Sequence, residues 1–399
     1  MSRIEAYKNK KDKRAQIFSL ILLMIAAGIL IYSEVVGKDL HFSFINGNEP
    51  SLYLEKQWVK RELSDRYVFN VYGNDLIQCG PDGIKRISQN GEEVWNQTYS
   101  MNLPKLVVNE PYLAVGEDGG KKIYVLNDRG LVYEIMTEEP IEYFSVNSKG
   151  FLSVIGETKD GHRIKVYDAQ GKDLGIDRNT FIEDAGYPLS AIVSDNGYRM
   201  PISYLNPDTK GLKSNLIFLD LGENGILKED LIEFAIEKEN TIFPGMYYLQ
   251  NDTLVVLGDD RILWIDQNNN VKEEMLSNHI KAIPWNIEYR RNLSEYLVLA
   301  LGEELPGKQG ENSGSIVFYS MDGNKKNVFD AQGDVTYLYG DDNMVIVGVN
   351  RTFYGLDTRG KEIFKYTALK DVEEIIPLKN GNKVALISKD SVDLMEIKR

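Results

Sequence analysis

Hydrophobic and polar positions alternate in short runs from residue 51 to the end of this chain, and the runs recur as copies of one unit. In the clearest copy, Pro111–Ile135, three strands are expected at Tyr112–Gly116, Lys122–Leu126 and Leu131–Ile135. The last two strands are separated by a tight turn, for which Gly130 is suited because glycine tolerates positive φ. The pattern predicts an all-β protein made of repeated strand–turn–strand units.

Eight such units follow one another at roughly the 40 to 50 residue period of a four-stranded propeller blade. The first strand of each unit is predicted at Leu76–Gly80, Leu113–Gly116, Leu152–Gly156, Met200–Leu205, Leu254–Gly258, Leu297–Gly302, Val345–Gly348 and Val384–Ser388. Helical periodicity is nearly absent after residue 40, which argues against a helical solenoid. Residues 51–399 are therefore predicted to form an eight-bladed β-propeller, and a seven-bladed ring is the alternative if the unit at Met200 merges with its neighbour.

The two ends of the repeat region complement each other. The eighth unit stops at Arg399, where its outer strand should follow, and a blade without that strand would expose an unpaired edge. The alternating segment Ser51–Lys60 precedes the first unit and has no partner of its own. We therefore predict that Ser51–Lys60 pairs with Val392–Ile397 and closes the ring.

The region before the propeller has the pattern of a membrane anchor. Residues 1–14 form a basic leader, residues 15–36 carry no charge before Glu34, and residues 37–50 form a short tether. Twenty helical residues span about 30 Å, one hydrocarbon core, so residues 15–36 predict a transmembrane helix. Positive charge ahead of it predicts a cytoplasmic N-terminus and a propeller outside the cell membrane. A cleaved signal peptide is the alternative, although the apolar run exceeds the usual length of about 7 to 15 residues.

Net charge and cysteine content exclude some kinds of site. The chain has a net charge of −14, and because the first sixteen residues carry a surplus of positive charge, the remainder is more acidic still. An acidic body is repelled by phosphate backbones, so we expect no nucleic-acid partner. A single cysteine, Cys79, excludes an intramolecular disulfide and a thiolate zinc cage.

Candidate catalytic and metal-ligating residues are sparse. The three histidines, His41, His162 and His279, are far apart in sequence and are expected to be isolated surface residues. The stretch from Asp266 to Asn270 begins like a calcium loop, but Val271 replaces the glycine that such a loop needs, so a hairpin turn is expected. We therefore predict no catalytic residue, no metal and no cofactor.

The turn motifs YDAQGKDL, LDTRGKEIFKY and NGEEVW resemble the repeats of pyrroloquinoline-quinone-like (PQQ-like) propellers, in which an Asp, a Gly and often a Trp four residues after the Gly recur. Only Gly91 to Trp95 matches fully at the Trp. The overall plan resembles an uncharacterised family of membrane-anchored propellers from low-GC Gram-positive bacteria, especially clostridia. The resemblance implies a blade geometry and no particular site. A quinone dehydrogenase of the related enzyme class would need a calcium site and adjacent cysteines. The chain has a single cysteine, which argues against such an enzyme.

A partner is expected to bind at long loops that emerge on one face of blades three to six. These loops are Arg178–Tyr187, Asn206–Lys213, Ser277–Arg291 and Glu303–Ser313. Loops on rigid scaffolds often carry recognition, and aromatic side chains are preferred anchors. The predicted partner-binding residues are Phe181, Tyr187, Trp285, Tyr289, Arg290 and Arg291. The alternative is that these rings cap their own blades.

Together these features predict a membrane-anchored, extracytoplasmic propeller that acts as a non-catalytic interaction or ligand-binding module at the cell envelope. Its partner would be an envelope protein or a glycan. The competing hypothesis is an enzyme of the cell envelope, a carbohydrate lyase or hydrolase, that uses acidic residues in the central channel. Converging carboxylates with a metal would favour the enzyme, and an apolar channel with an aromatic patch on one face would favour binding.

Overall fold

The computed structural model describes residues 50–62, 66–181, 186–208, 211–222, 231–249, 251–276, 296–304, 312–331, 333–341 and 344–398. These residues form 31 β-strands and contain no helix. Accordingly, none of the described residues belongs to a helix long and apolar enough to cross a membrane. The predicted leader, transmembrane helix and all of the tether except residue 50 lie outside the described residues.

The strands form eight antiparallel sheets, and the first strand, β1 (Ser51–Lys60), belongs to the last of them. Blade 1 contains β2 (Val68–Tyr72), β3 (Asp75–Gly80), β4 (Gly83–Ile87) and β5 (Glu93–Thr98). Blade 2 contains β6 (Pro104–Asn109), β7 (Tyr112–Glu117), β8 (Lys122–Asn127) and β9 (Gly130–Met136). Blade 3 contains β10 (Ile141–Val146), β11 (Leu152–Glu157), β12 (Gly161–Tyr167) and β13 (Asp173–Phe181). Blade 4 contains β14 (Tyr187–Ala191), β15 (Arg199–Asp208), β16 (Gly211–Asp220) and β17 (Ile232–Glu239).

The second half of the ring repeats this arrangement. Blade 5 contains β18 (Gly245–Tyr248), β19 (Leu254–Leu257), β20 (Arg261–Ile265) and β21 (Val271–Met275). Blade 6 contains, within its described part, β22 (Tyr296–Glu304), β23 (Asn312–Ser320) and β24 (Lys325–Ala331). Blade 7 contains β25 (Val335–Gly340), β26 (Val345–Val349), β27 (Thr352–Leu356) and β28 (Glu362–Thr367). Blade 8 contains β29 (Val372–Pro377), β30 (Lys383–Ser388) and β31 (Ser391–Lys398), and β1 completes it.

The predicted closure of the ring is confirmed. β1 pairs antiparallel with β31, and Leu52 lies opposite Ile397 while Val59 lies opposite Val392. The outermost strand of the last blade therefore comes from the start of the repeat region. The eight-bladed prediction is also confirmed, whereas the seven-bladed alternative is wrong because Met200 lies in β15, inside a separate sheet of its own.

Blade 8 is joined to blade 1 by hydrogen bonds and by apolar packing. The Trp58 indole Nε1 donates to the Ser88 carbonyl at 2.8 Å, and the Lys379 amide donates to the Gly73 carbonyl at 3.0 Å. Buried Trp58 and Phe69 belong to one hydrophobic cluster that spans blades 7, 8 and 1. Such clusters between successive sheets supply the apolar burial that stabilises the ring.

The repeated turn motif has a physical role in each blade. In the turn after β12, Asp168 Oδ1 accepts hydrogen bonds from the Gln170 and Lys172 amides, both at 2.9 Å. Gly171 in the same turn has a φ of +79°, and a Cβ atom there would lie 2.7 Å from the ring of Tyr133 in the preceding blade. The aspartate thus closes the turn, and the glycine leaves room for an aromatic side chain of the neighbouring blade.

Two other copies of the turn each show one of these two features. Asp266 Oδ1 accepts from the Asn268 and Asn270 amides at 2.8 and 2.9 Å, so the stretch that begins like a calcium loop closes the expected hairpin turn. A Cβ atom at Gly323 would lie 2.7 Å from the indole of Trp264 in the preceding blade. The motif therefore marks contacts between blades.

In seven of the eight predicted units, all except the one in blade 6, the predicted first strand is the second strand of a blade. In blade 1, for example, Leu76–Gly80 falls within β3, and β2 precedes it as the innermost strand. The innermost strands were missed because the continuous apolar runs of the second strands give the stronger signal, as the fully buried β19 does beside the alternating burial of β18.

Three of the four predicted long loops are shorter than expected. Asn206–Lys213 is a tight hairpin, because β15 and β16 stay paired as far as Asp208 and Gly211. Within Glu303–Ser313, Glu303 pairs with Ser313, so β22 and β23 extend into the predicted loop. In the first stretch, Pro207 and Gly211 suggested a loop, but both belong to the backbone ladder. Arg178–Phe181 likewise belongs to β13, and Ser277–Arg291 lies outside the described residues.

Candidate partner-binding face

The order of strands in the sheets defines two faces of the propeller. Each blade is an antiparallel meander, so its second-to-third hairpin and its connection to the next blade emerge on one face, which we call the loop face. The other hairpins emerge on the opposite face, which we call the turn face. Because Ser51 pairs with Lys398 at the end of the third strand of blade 8, β1 begins at the turn face and runs toward the loop face.

Two of the six predicted partner-binding residues are described, and both lie at the loop face. Phe181 ends β13 and is 55% exposed, whereas Tyr187 begins β14 and is 42% exposed. The connection between blades 3 and 4 therefore presents two aromatic side chains to solvent. Trp285, Tyr289, Arg290 and Arg291 lie outside the described residues.

Tyr187 packs on a buried histidine. Its ring meets the imidazole of His162 edge-on, with 6.0 Å between ring centroids. The expectation of a surface histidine was wrong for His162, because β12 places this side chain between blades 3 and 4, where it is buried. His162 Nε2 lies 2.8 Å from Oε2 of Glu142 on β10, whereas Nδ1 is buried and has no hydrogen-bond partner among the described residues. His41 and His279 lie outside the described residues.

Arg163, next to His162 in sequence, contacts the connection between blades 2 and 3 and the strand β13 that ends at Phe181. Arg163 Nη1 lies 2.8 Å from carboxylate oxygens of both Glu138 and Glu139, and Nε donates to Asp177 Oδ1 at 2.7 Å. The hydrogen bond from Arg163 lowers the pKa of Asp177 below its usual value, with a further contribution from the positive charge. These contacts tie the connection between blades 2 and 3 to the outer strand of blade 3.

Aliphatic side chains on several other blades are also exposed at the loop face. Half of the exposed large apolar side chains in the described part of the chain lie at the loop face, where six join Phe181 and Tyr187. The six are Val68, Leu103, Met136, Leu212, Met275 and Leu369. The most exposed is Leu369, at 94%, in the connection between blades 7 and 8.

These aliphatic residues were not among the predicted partner-binding residues, which are aromatic residues and arginines in the predicted long loops. They sit instead at strand ends and in short connections. The exposure of Leu369 could have been predicted, because this leucine lies in a short segment between two strands, where the apolar alternation has ended.

The described inner strands bring aromatic rings toward the central channel. Burial raises the pKa of Tyr143 on β10 to about 12, and the nearby Tyr247 on β18 adds to this shift. Blade 4 separates the blades of these two residues, and both residues lie on innermost strands. Lys105 Nζ on β6 lies 5.4 Å from the centroid of the Tyr143 ring, a cation–π contact near the loop-face end of the channel.

Two inner-strand carboxylates have nitrogen partners on other side chains. Glu142 meets His162, and Glu373 Oε2 lies 2.7 Å from Nη1 of Arg61, which follows β1. Within the described part of the chain, no group of three or more His, Cys, Asp or Glu side chains is arranged to hold a metal ion. The described channel residues thus combine tyrosines, a lysine and paired carboxylates.

Comparison with known sequences identifies a family. Residues 52–397 match the profile of a family described as "Family of unknown function (DUF5711)". The match covers the propeller from the closing strand to the last strand of blade 8. No curated protein sequence matches the chain.

Comparison with solved structures shows the fold. Sqt1 from Chaetomium thermophilum, bound to the N-terminus of the ribosomal protein L10, has a TM-score of 0.52 and 10% identity, covering 86% of this chain and 100% of that chain. A second Sqt1 structure from this organism has a TM-score of 0.51 and 10% identity, covering 89% and 100%. BamB from Moraxella catarrhalis has a TM-score of 0.49 and 11% identity, covering 86% and 99%. At these identities the likeness concerns the fold alone.

Proposed function

We propose a function for this chain, which belongs to the DUF5711 family of unknown function: its propeller is a non-catalytic module that binds a protein partner through the loop face. The exposed aromatic pair Phe181 and Tyr187, where blade 3 connects to blade 4, carries the proposal. Aromatic anchors on rigid elements are typical of binding hot spots. Phe181, Tyr187 and Leu369 are the anchors we assign.

The arrangement of the scaffold supports this function. Tyr187 rests on His162, and Arg163 ties the connection before blade 3 to β13, so the aromatic residues project from a braced surface. A braced surface loses little conformational entropy on binding. Sqt1, which shares the fold, has been solved with the N-terminus of a ribosomal protein bound, so a propeller of this kind can hold a protein segment.

We further propose that the propeller is extracytoplasmic and anchored by residues 15–36, as the basic leader and apolar run predict. A glycan partner, the PQQ-like character of the turns and an origin among clostridia stay predictions.

The proposal predicts loss of partner capture when the anchors are removed. Phe181→Ser combined with Leu369→Ser is expected to reduce capture of a partner from the native cell envelope by at least about tenfold, since hot-spot truncations typically cost 2 kcal/mol or more. Capture is measured by affinity purification with the full chain and quantitative mass spectrometry. Both side chains are exposed, so the fold and the melting temperature are expected to stay unchanged.

A matched control separates the two faces. Tyr198→Ser removes an exposed ring from the turn face, in the connection between β14 and β15, and is expected to leave capture unchanged. Equal capture by the wild type and the loop-face variant would contradict the proposal. Loss of capture in Tyr198→Ser alone would move the binding site to the turn face.

A further inference from the structure

We infer that the partner segment binds through a lysine or arginine side chain, which lies against Tyr187 and Phe181 beside the carboxylate of Glu142. This is the site of the proposed function, so the assignment rests on that function. What it adds is the chemical class of the partner, a basic protein segment.

The two exposed rings form the first part of the site. Phe181 ends β13 and Tyr187 begins β14, and both rings are open to solvent. Ammonium and guanidinium groups are attracted to the faces of aromatic rings. This propeller uses the contact elsewhere, since the guanidinium of Arg199 lies 4.4 Å from the centroid of the Phe218 ring. A cation on the partner can bind to the exposed pair in the same way.

A half-exposed carboxylate lies beside the rings. Glu142 Oε2 is 2.8 Å from Nε2 of His162, and 47% of the Glu142 side chain is exposed. The imidazole of His162 meets the Tyr187 ring, so the three side chains form one contiguous set. A carboxylate held in this way can accept a charge-assisted hydrogen bond from a lysine or arginine near Tyr187.

The buried imidazole provides a second acceptor. In a neutral imidazole, the nitrogen that faces a carboxylate carries the proton and the other nitrogen keeps a lone pair. Nε2 of His162 faces Glu142, which leaves Nδ1 as the acceptor. Nδ1 is buried and has no hydrogen-bond partner among the described residues, and a buried acceptor without a donor is costly. A donor that enters beside Tyr187 would satisfy this nitrogen, whereas an anion could not.

Glu157 adds negative charge on the same face of blade 3. It lies directly opposite His162 in the ladder between β11 and β12, and opposite residues place their side chains on the same face of a sheet. Its side chain is exposed, and β14, which carries Tyr187, packs against both β10 and β11. Glu142 and Glu157 therefore flank the aromatic pair from the side of blade 3.

The nearest arginines are engaged elsewhere. The guanidinium of Arg163 is shared by the carboxylates of Glu138, Glu139 and Asp177, so its single charge does not balance even these three. Arg178 on β13 lies close to the buried hydroxyl of Tyr204. Because the chain as a whole carries a net charge of −14, a basic segment is attracted to this site and an acidic one is repelled.

The test measures the binding of two synthetic peptides to the full chain, in a non-ionic detergent, by fluorescence anisotropy. One twelve-residue peptide contains four lysines and two leucines among glycines and serines, and the other has glutamine in place of each lysine. The lysine peptide is expected to bind at least about tenfold more tightly at low salt. Added salt is expected to reduce this difference because it screens the charges.

Two matched double variants locate the attraction. Glu142→Gln with Glu157→Gln is expected to weaken binding of the lysine peptide by at least about fivefold and to leave the glutamine peptide unchanged. Glu157→Gln alone keeps the contact between Glu142 and His162 and is expected to retain part of this loss, in case the double variant folds poorly. Glu92→Gln with Glu93→Gln removes two exposed carboxylates from the turn face and is expected to change neither affinity.

Equal affinity for the two peptides, or an equal loss in the turn-face variant, overturns the inference. The attraction would then come from the leucines or from the net charge of the whole chain. Phe181→Ser tests the proposed function separately, because it is expected to weaken both peptides. If Phe181→Ser changes neither affinity, the site lies elsewhere and both the inference and the proposed function fail. If neither peptide binds, the inference is overturned and the capture experiment alone decides the proposed function.

Discussion

Replacing Trp58 with alanine is expected to lower the free energy of unfolding by about 3 to 5 kcal/mol, the usual cost of removing a buried tryptophan from a core. Trp58 lies on β1 and is buried in the cluster that joins blades 7, 8 and 1, and its Nε1 donates to the Ser88 carbonyl in blade 1. The substitution removes apolar packing and leaves the Ser88 carbonyl without this donor. Because both effects act where the ring closes, the loss is expected to be large.

Urea unfolding of the propeller, followed by circular dichroism, measures this loss. Trp58→Phe keeps most of the packing and removes the hydrogen bond, so it is expected to cost clearly less, since a single hydrogen bond contributes about 1 kcal/mol. Leu54→Ala on the same strand removes an exposed side chain and is expected to change stability by less than about 0.5 kcal/mol. If Trp58→Ala costs no more than Leu54→Ala, β1 does not hold the ring together.

The second large effect is expected at Arg199, whose guanidinium joins blades 4 and 5. Its Nε lies 3.3 Å from Glu233 Oε2, Nη1 donates to the Asp266 carbonyl at 3.3 Å and Nη2 donates to the Asn269 side chain. The guanidinium also lies 4.4 Å from the centroid of the Phe218 ring. Arg199→Ala is expected to lower the free energy of unfolding by about 2 to 4 kcal/mol, slightly below the usual cost of breaking a buried ion pair because Glu233 is partly exposed.

Differential scanning calorimetry of two companion variants separates charge from geometry. Arg199→Lys retains the positive charge and loses the planar fork, so it is expected to recover only part of the loss. Lys213→Ala on the neighbouring strand β16 breaks an ion pair with Glu237 that is more exposed, and it is expected to cost less than about 1 kcal/mol. Equal costs for Arg199→Ala and Lys213→Ala would show that the contact between blades contributes nothing beyond a surface ion pair.

Local chemistry explains why much of the fold could be predicted. Aspartate and glycine recur in the turns of the sequence because they close hairpins, as Asp168 and Gly171 do. The need for β1 followed from an unpaired edge at the last blade, a requirement that holds whatever the neighbouring blades contain. Number of blades, direction of pairing and closure were therefore readable before any coordinates were known.

The candidate site could be predicted only in part, because it depends on which strands become neighbours in the ring. His162 is buried because Tyr187, twenty-five residues later, packs on it from the next blade. Leu369 is exposed because the connection between blades 7 and 8 leaves it uncovered. Neither outcome follows from the pattern of nearby residues, so the aromatic anchors were partly anticipated and the aliphatic ones were not.

The direction of β1 has a mechanical consequence. Since β1 begins at the turn face, a pull applied through residue 50 against a load held at the loop face acts along the axis of this strand. Such tension shears the ladder between β1 and β31, so the rungs from Leu52 to Val59 resist together instead of unzipping one at a time. The direction of β1 therefore means that a force of this kind loads the backbone hydrogen bonds between β1 and β31 in shear.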